Sequence, residues 1–248
     1  MSLPYKRALI IGGSRGVGRC LALDLTNKGL QVFVTARGEA DLKSLEKRNP
    51  AIKTIIADAS SDGTATTLLS DIKPDLVILA GGYQPKMGPV HEMDWVEFSS
   101  TWNIDTKIAF EFTKAALEHP LSPGSAIVSF SSGAAIGGSP LSGGYAGAKR
   151  MQHYLVNYGQ READRFGLDI QFLCMIPKQL IAGTEIGVAA STAYAQSAGI
   201  DAEQFMSQWE APLTTDGTSR HVIDLLHKSV DNTDRVFAIT GTGIEAMT

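Results

Sequence analysis

Tyr145 and Lys149 stand four residues apart in a stretch where Ala148, Met151, Leu155 and Tyr158 mark a helical stripe. That spacing puts a phenol and an ammonium on one face of a helix. A free tyrosine titrates at about 10, so a phenol that exchanges a proton near neutrality needs a neighbouring cation to favour its phenolate. Lys149 is placed to supply it. Upstream, an apolar run ends in Ser129-Phe130-Ser131-Ser132, which sets hydroxyls at the end of a strand. Acid–base work at a substrate oxygen is the chemistry such a grouping allows.

A second grouping lies near the start. Ala8 to Ile11 leads into Gly12-Gly13-Ser14-Arg15-Gly16-Val17-Gly18, then a stretch where Val17, Cys20, Leu21 and Leu25 keep helical offsets. Gly12, Gly16 and Gly18 fall where the chain must turn tightly between strand and helix and let a pyrophosphate approach its backbone. Ser14 and Val17 belong to the same loop, and the helix N-terminus adds unpaired N–H groups and a favourable dipole. The spacing is Gly-x-x-x-Gly-x-Gly rather than the commoner Gly-x-Gly-x-x-Gly.

In nicotinamide-binding sheets an acid at the end of the second strand bonds the ribose 2'-hydroxyl, whereas an Arg there accommodates a 2'-phosphate. Here that strand ends Val34-Thr35-Ala36-Arg37. Arg37 and Arg15 together offer two guanidiniums, a geometry matched to phosphate. The expected cofactor is NADPH/NADP+, with NAD second because Glu39 lies close by. The alternative is that both arginines are solvated surface charges. Asp58, after the third apolar run, either accepts from an adenine amine or caps the next helix.

The elements that must hold these groups alternate almost to the end. Apolar runs at Ala8 to Ile11, Val32 to Val34, Ile55 to Ala57, Leu76 to Ala80, Ala126 to Phe130, Ile170 to Ile176 and Val236 to Ile239 are mostly continuous. Continuity implies strands covered on both faces, with helices such as Gly16 to Lys28 and Tyr145 to Phe166 between them. The expectation is an α/β fold, a doubly wound parallel sheet of about seven strands with helices on both faces, as one domain over residues 1–248. Gln179 to Gln208 is longer than the usual connection and reads as a substrate lid at about 179–210.

With these residues in view, the sequence resembles the single-domain branch of the short-chain dehydrogenase/reductase family, whose fold is a Rossmann fold. The resemblance rests on the glycine loop, the Tyr-x-x-x-Lys pair, Ser132 at thirteen residues before Tyr145, and Asn103 in Trp102-Asn103-Ile104 ahead of a helix bearing Ile108, Phe112 and Ala115. It implies Tyr145 as general acid/base, Lys149 lowering its pKa and bonding the nicotinamide ribose, Ser132 holding the substrate oxygen, and Asn103 positioning a water toward Lys149. It also implies Ala80, Gly81, Gly82 and Pro177 beside the cofactor, and a homotetramer or homodimer. Three departures stand out: Leu79-Ala80-Gly81-Gly82 replaces Asn-Asn-Ala-Gly, Ile11 replaces the Thr that opens the glycine loop, and Lys178 follows Pro177 where the family has Gly.

The resemblance implies an oxidoreductase that moves hydride between nicotinamide and a ketone, aldehyde or secondary alcohol. An imine reductase uses the same residues, and a non-catalytic NADPH-binding sensor is the alternative of a different class. Ala134, Leu141, Tyr194 and Trp209, with Tyr83, Met87, Phe205 and Met206, are candidates for an apolar or aromatic substrate wall or for ordinary packing. Lys178 is the candidate partner of an acidic substrate.

Composition excludes other classes. Net charge −4 and no long basic run speak against nucleic acid as main partner. No apolar run approaches a membrane span. Five histidines and two cysteines, Cys20 and Cys174, show no metal-ligand spacing, so no metal is expected. A reducing, cytoplasmic setting is the expectation.

Overall fold

The computed structural model describes residues 3–227 and 235–247, so the ends of the expected 1–248 unit lie outside the described residues. Eight strands form one sheet: β1 (Arg7–Ile11), β2 (Gln31–Ala36), β3 (Lys53–Ile56), β4 (Leu76–Leu79), β5 (Ser125–Phe130), β6 (Ile170–Pro177), β7 (Val236–Thr240) and β8 (Gly243–Ala246). Their order is β3-β2-β1-β4-β5-β6-β7-β8. The first seven run parallel and correspond to the seven apolar runs, whereas β8 pairs antiparallel with β7, Thr240 opposite Gly243. Gly-Ile-Glu-Ala, with a single large apolar residue, does not read as a strand, and it joins the sheet through a tight hairpin.

Neighbouring residues of β1 face opposite cores, which is why the strands read as continuous apolar runs. Ile10 packs with Leu21 and Leu25 of α1 (Gly16–Asn27), Leu42 and Leu45 of α2 (Glu39–Arg48), and, further along the same face, Val222 of α10 (Thr215–His227). Leu9 and Ile11 face the other side, with Leu68 of α3 (Thr64–Ile72), Phe112 of α5 (Lys107–Glu118) and Val156 of α7 (Tyr145–Arg165). The helices therefore cover both faces, as a parallel sheet requires. Between α3 and α5 lies α4 (Trp95–Thr101), started by a capping box in which Asp94 and Glu97 satisfy each other's backbone N–H groups. A short α6 (Ala134–Gly137) follows β5, and the long segment after β6 folds into α8 (Glu185–Ala198) and α9 (Ala202–Met206). No helix among the described residues is long and apolar enough to cross a membrane.

One glycine fixes the approach of two strand ends. Gly12 leaves β1 with φ +77°, and a Cβ there would lie 2.2 Å from the Gly81 Cα, which follows β4. Both the left-handed backbone and the backbone-to-backbone contact exclude a side chain. Gly12→Ala should cost roughly 2–4 kcal/mol and lower Tm by roughly 5–15 °C, read by thermal unfolding in circular dichroism. A Tm unchanged within about 1 °C would show that the two loops move apart freely.

Candidate active site

The sheet reverses its winding between β1 and β4, and the carboxyl ends of its strands open there on one cavity of about 590 Å³. Such a switch point is where open α/β sheets take ligands. Gly12, Ser14, Arg15, Gly16, Val17 and Gly18 line it, as do Arg37, Asp58, Ala80, Gly81, Gly82 and Pro177. Ser132, Tyr145 and Lys149 line the same space.

The glycine loop is built to meet an anion. Arg15 precedes α1 in extended backbone, φ −150°, and no side chain caps the helix. The first-turn N–H groups of a helix have no intrahelical partner, and here the residues of that turn line the cavity instead of meeting a cap. This uncapped cradle fits the pyrophosphate of a nicotinamide dinucleotide. Arg37 is exposed and makes no ion pair among the described residues, while Arg15 is paired with Glu185 at the start of α8. Asp58 does not cap α3, whose N-cap is Gly63. Its Oδ1 instead accepts from the Ser60 backbone N–H and hydroxyl, at 2.9 and 2.7 Å. Those bonds, with help from Arg37 and Lys107, hold its carboxyl below the usual value.

Tyr145 is the first residue of α7, and the entry is fixed by the Gly144 N–H donating to the Phe98 carbonyl at 3.1 Å and the Tyr145 N–H to that of Ser142 at 3.1 Å. One turn on, Lys149 is buried, with Nζ 5.5 Å from the Tyr145 ring centroid and 3.2 Å from the Phe130 carbonyl oxygen that accepts from it. Ser132 Oγ accepts from the Ala134 N–H at 3.2 Å, which leaves its own hydrogen free to donate. Ser131 is buried, and its hydroxyl donates to the Lys149 carbonyl, tying β5 to α7.

Asn103 is not brought to this group. It is exposed, donates to Ser99 Oγ at 3.3 Å and does not line the cavity. The residue that reaches Lys149 is Asp105, fully buried, with Oδ2 3.2 Å from Nζ. Residues Trp102–Thr106 form one wide π turn between α4 and α5. Asp105, Ile108 and Phe112 keep offsets of three and seven and share the buried face, whereas Asn103 falls outside it. An acid on an apolar stripe was the signal available in the sequence. Burial works against the Lys149 charge, but the Asp105 carboxylate and Tyr145 outweigh it, so the ammonium's pKa stands above its ordinary value.

Ala134, Leu141, Lys178, Tyr194 and Trp209 do not line the cavity. Lys178 continues the β6–β7 ladder by donating to the Ile239 carbonyl at 2.8 Å, and the residue is exposed. Tyr194 Oη meets Ser139 Oγ at 2.5 Å, and Phe205 stacks on Tyr194 and meets Trp209 edge to face, each at 6.0 Å between ring centroids. Within the stretch expected as a lid, Gln179, Leu180, Ile181, Thr184 and Glu185 line the cavity, although the sequence, which carries no motif there, singled out none of them. Asp41, in the first turn of α2, also lines the cavity.

The pattern common to short chain dehydrogenases matches residues 6–191. L-xylulose reductase from Mesocricetus auratus is 26% identical over 134 residues, 53% of this chain and 55% of that protein. The matched stretches span little more than half the length of the first curated relatives. Among solved structures, ElxO with NADP bound has a TM-score of 0.79 at 21% identity, covering 96% of this chain and 98% of that one. NAD+-bound xylitol dehydrogenase has a TM-score of 0.82 at 17% identity, covering 95% and 98%. At such identities the two structures speak for the fold, and they carry different cofactors. Because the matched pattern runs through the glycine loop, the strands that frame the cavity and the helix bearing Tyr145 and Lys149, this chain belongs to the short-chain dehydrogenase family.

Proposed function

We propose that the protein is an NADPH-dependent carbonyl reductase in which Tyr145 is the general acid. The observation that carries this reading is that Tyr145, Lys149 and Ser132 line the same cavity as the uncapped glycine loop, so a dinucleotide held by the loop and a carbonyl held by Ser132 share one space. The cofactor, when bound, supplies hydride to the carbonyl carbon. Ser132 donates its free hydrogen to the carbonyl oxygen and stabilises the charge that develops there. Tyr145 Oη gives that oxygen its proton, so the carbonyl becomes an alcohol and the phenol a phenolate. Lys149 holds the phenolate's charge until solvent restores the proton.

Preference for NADPH rests on Arg15 and Arg37, which line the main cavity and an adjoining one. The segment at 179–210 acts as the lid: its start is a cavity wall, while its aromatics Tyr194, Phe205 and Trp209 pack on one another outside the cavity lining. The test is NADPH consumption, followed at about 340 nm, over ketones, aldehydes, quinones, cyclic imines and keto acids, with NADH in parallel. Turnover of a carbonyl class with NADPH preferred is the expected result. Measurable NADPH binding with no turnover of any class would overturn the reductase reading, and turnover of the imines alone would move the reaction to C=N.

A further inference from the structure

Asp105 closes a buried arrangement that the Tyr–Lys pair does not itself need. Its Oδ1 accepts from the Tyr83 N–H at 2.6 Å, which binds the loop after β4 to the turn before α5. Its Oδ2 faces Lys149 at 3.2 Å in an ion pair whose alignment falls short of a hydrogen bond. A Cβ on Gly82 would lie 2.7 Å from that oxygen, so glycine at this position is what admits the carboxylate. Gly82, the one residue of Leu79-Ala80-Gly81-Gly82 that keeps the family's glycine, and the acid at 105 are thus two halves of one fitting.

The ionic balance follows from what surrounds the pair. On α7 are Tyr145, Lys149 and the neutral Gln152, whose side chain donates to the Asp105 carbonyl. From β5 come the Phe130 carbonyl and the Ser131 hydroxyl. From β6 comes Cys174, whose thiol burial pushes up to about 12, so it stays neutral. The loop after β4 presents a backbone N–H, and Lys107 at the start of α5 turns instead to Asp62 at 2.6 Å. Among the described residues, Asp105 is the one carboxylate within 4 Å of Lys149. Two buried opposite charges at this separation stay charged together, since removing either leaves the other unpaired. The pair as a whole is neutral. The phenol ring, its centroid 5.5 Å from Nζ, therefore faces an ammonium whose field the carboxylate partly offsets.

We propose that Asp105 is a positioning residue that offsets the charge of Lys149 and so keeps Tyr145 in its protonated, proton-donating form through neutral pH, biasing the site toward carbonyl reduction over alcohol oxidation. The inference deepens the reading of Tyr145 as the acid and rests on it for its consequence. The sign is fixed by charge: with the carboxylate gone and Lys149 still charged, phenolate formation is favoured and the Tyr145 midpoint falls. Reduction then loses its acid at a lower pH, and oxidation gains its base.

The test needs no substrate, so it separates from the test of the reductase reading. Tyrosinate absorbance at about 295 nm is titrated on the full chain, and the same curve for Tyr145→Phe in each background is subtracted to leave Tyr145 alone. Asp105→Asn should move that midpoint down by about one pH unit or more, a tenfold change in phenol ionisation. Asp105→Glu, which keeps the charge while disturbing the packing, should hold the midpoint near the native one. Asp105→Ser carries the comparison if the Asn variant does not fold. A midpoint that stays or rises when the charge is removed, or that falls equally in the Glu variant, overturns the proposal.

Discussion

Replacing Tyr145 by Phe should leave NADPH binding intact and cut turnover by about 10²–10⁴-fold, the usual worth of a positioned proton donor. The phenol hydroxyl has no protein hydrogen-bond partner among the described residues, so its loss orphans nothing. The ring remains at the head of α7, where Gly144 and Tyr145 N–H groups anchor the entry. The substitution thus removes a proton and little else. Binding is read from the protein-dependent fluorescence of NADPH, and turnover from NADPH consumption with whichever carbonyl the panel selects. Lys149 cannot stand in, because it is buried and held by Asp105 and the Phe130 carbonyl. A Phe variant that turns over at the native rate would move the acid to Ser132 or to solvent and would end the assignment.

Most of the fold was legible because a doubly wound sheet writes itself in repeated units. The seven parallel strands leave seven apolar runs, and a strand such as Leu76–Leu79, buried at every residue, has no polar alternation to obscure it, whereas β3 at the sheet edge has no buried residue. β8 was not legible: its Gly-Ile-Glu-Ala owes its strand character to pairing with β7 and not to its own side chains. The cofactor cradle was readable for the same local reason, since a strand, a glycine turn and a helix are contiguous in sequence. Residues set by tertiary contact were harder. Asn103 and Asp105 sit two apart, and which of them meets Lys149 depends on the phase of the helix through the π turn, a detail that the motif Trp-Asn-Ile conceals. The segment after β6, expected as a lid, shows the limit most plainly. Its aromatics were the visible feature, yet the unremarkable Gln179 to Glu185 forms the cavity wall.

Arg37→Asp should raise the Michaelis constant for NADPH by at least about 10–100-fold while changing that for NADH by less than about threefold. A charge-assisted hydrogen bond contributes about 1.5–3 kcal/mol, which is that range in affinity, and reversing the sign adds repulsion toward a dianionic phosphate. Arg37 follows the end of β2, exposed and without an ion pair among the described residues, with Asp58 acting on it only as a more distant charge. Arg15 is engaged by Glu185, but both side chains are more than half exposed, 59% and 52%, and such a surface pair is worth little against a phosphate. The measurement is the ratio of kcat/KM for the two cofactors at fixed carbonyl substrate, repeated at raised salt, where screening should narrow the native preference. The opposing acids are also in place, since Glu39 and Asp41 lie in the first turn of α2 and Asp41 lines the cavity. Equal losses for NADPH and NADH would therefore mean that Arg37 serves the fold of the loop, and that Asp41, facing a ribose hydroxyl, decides in favour of NADH.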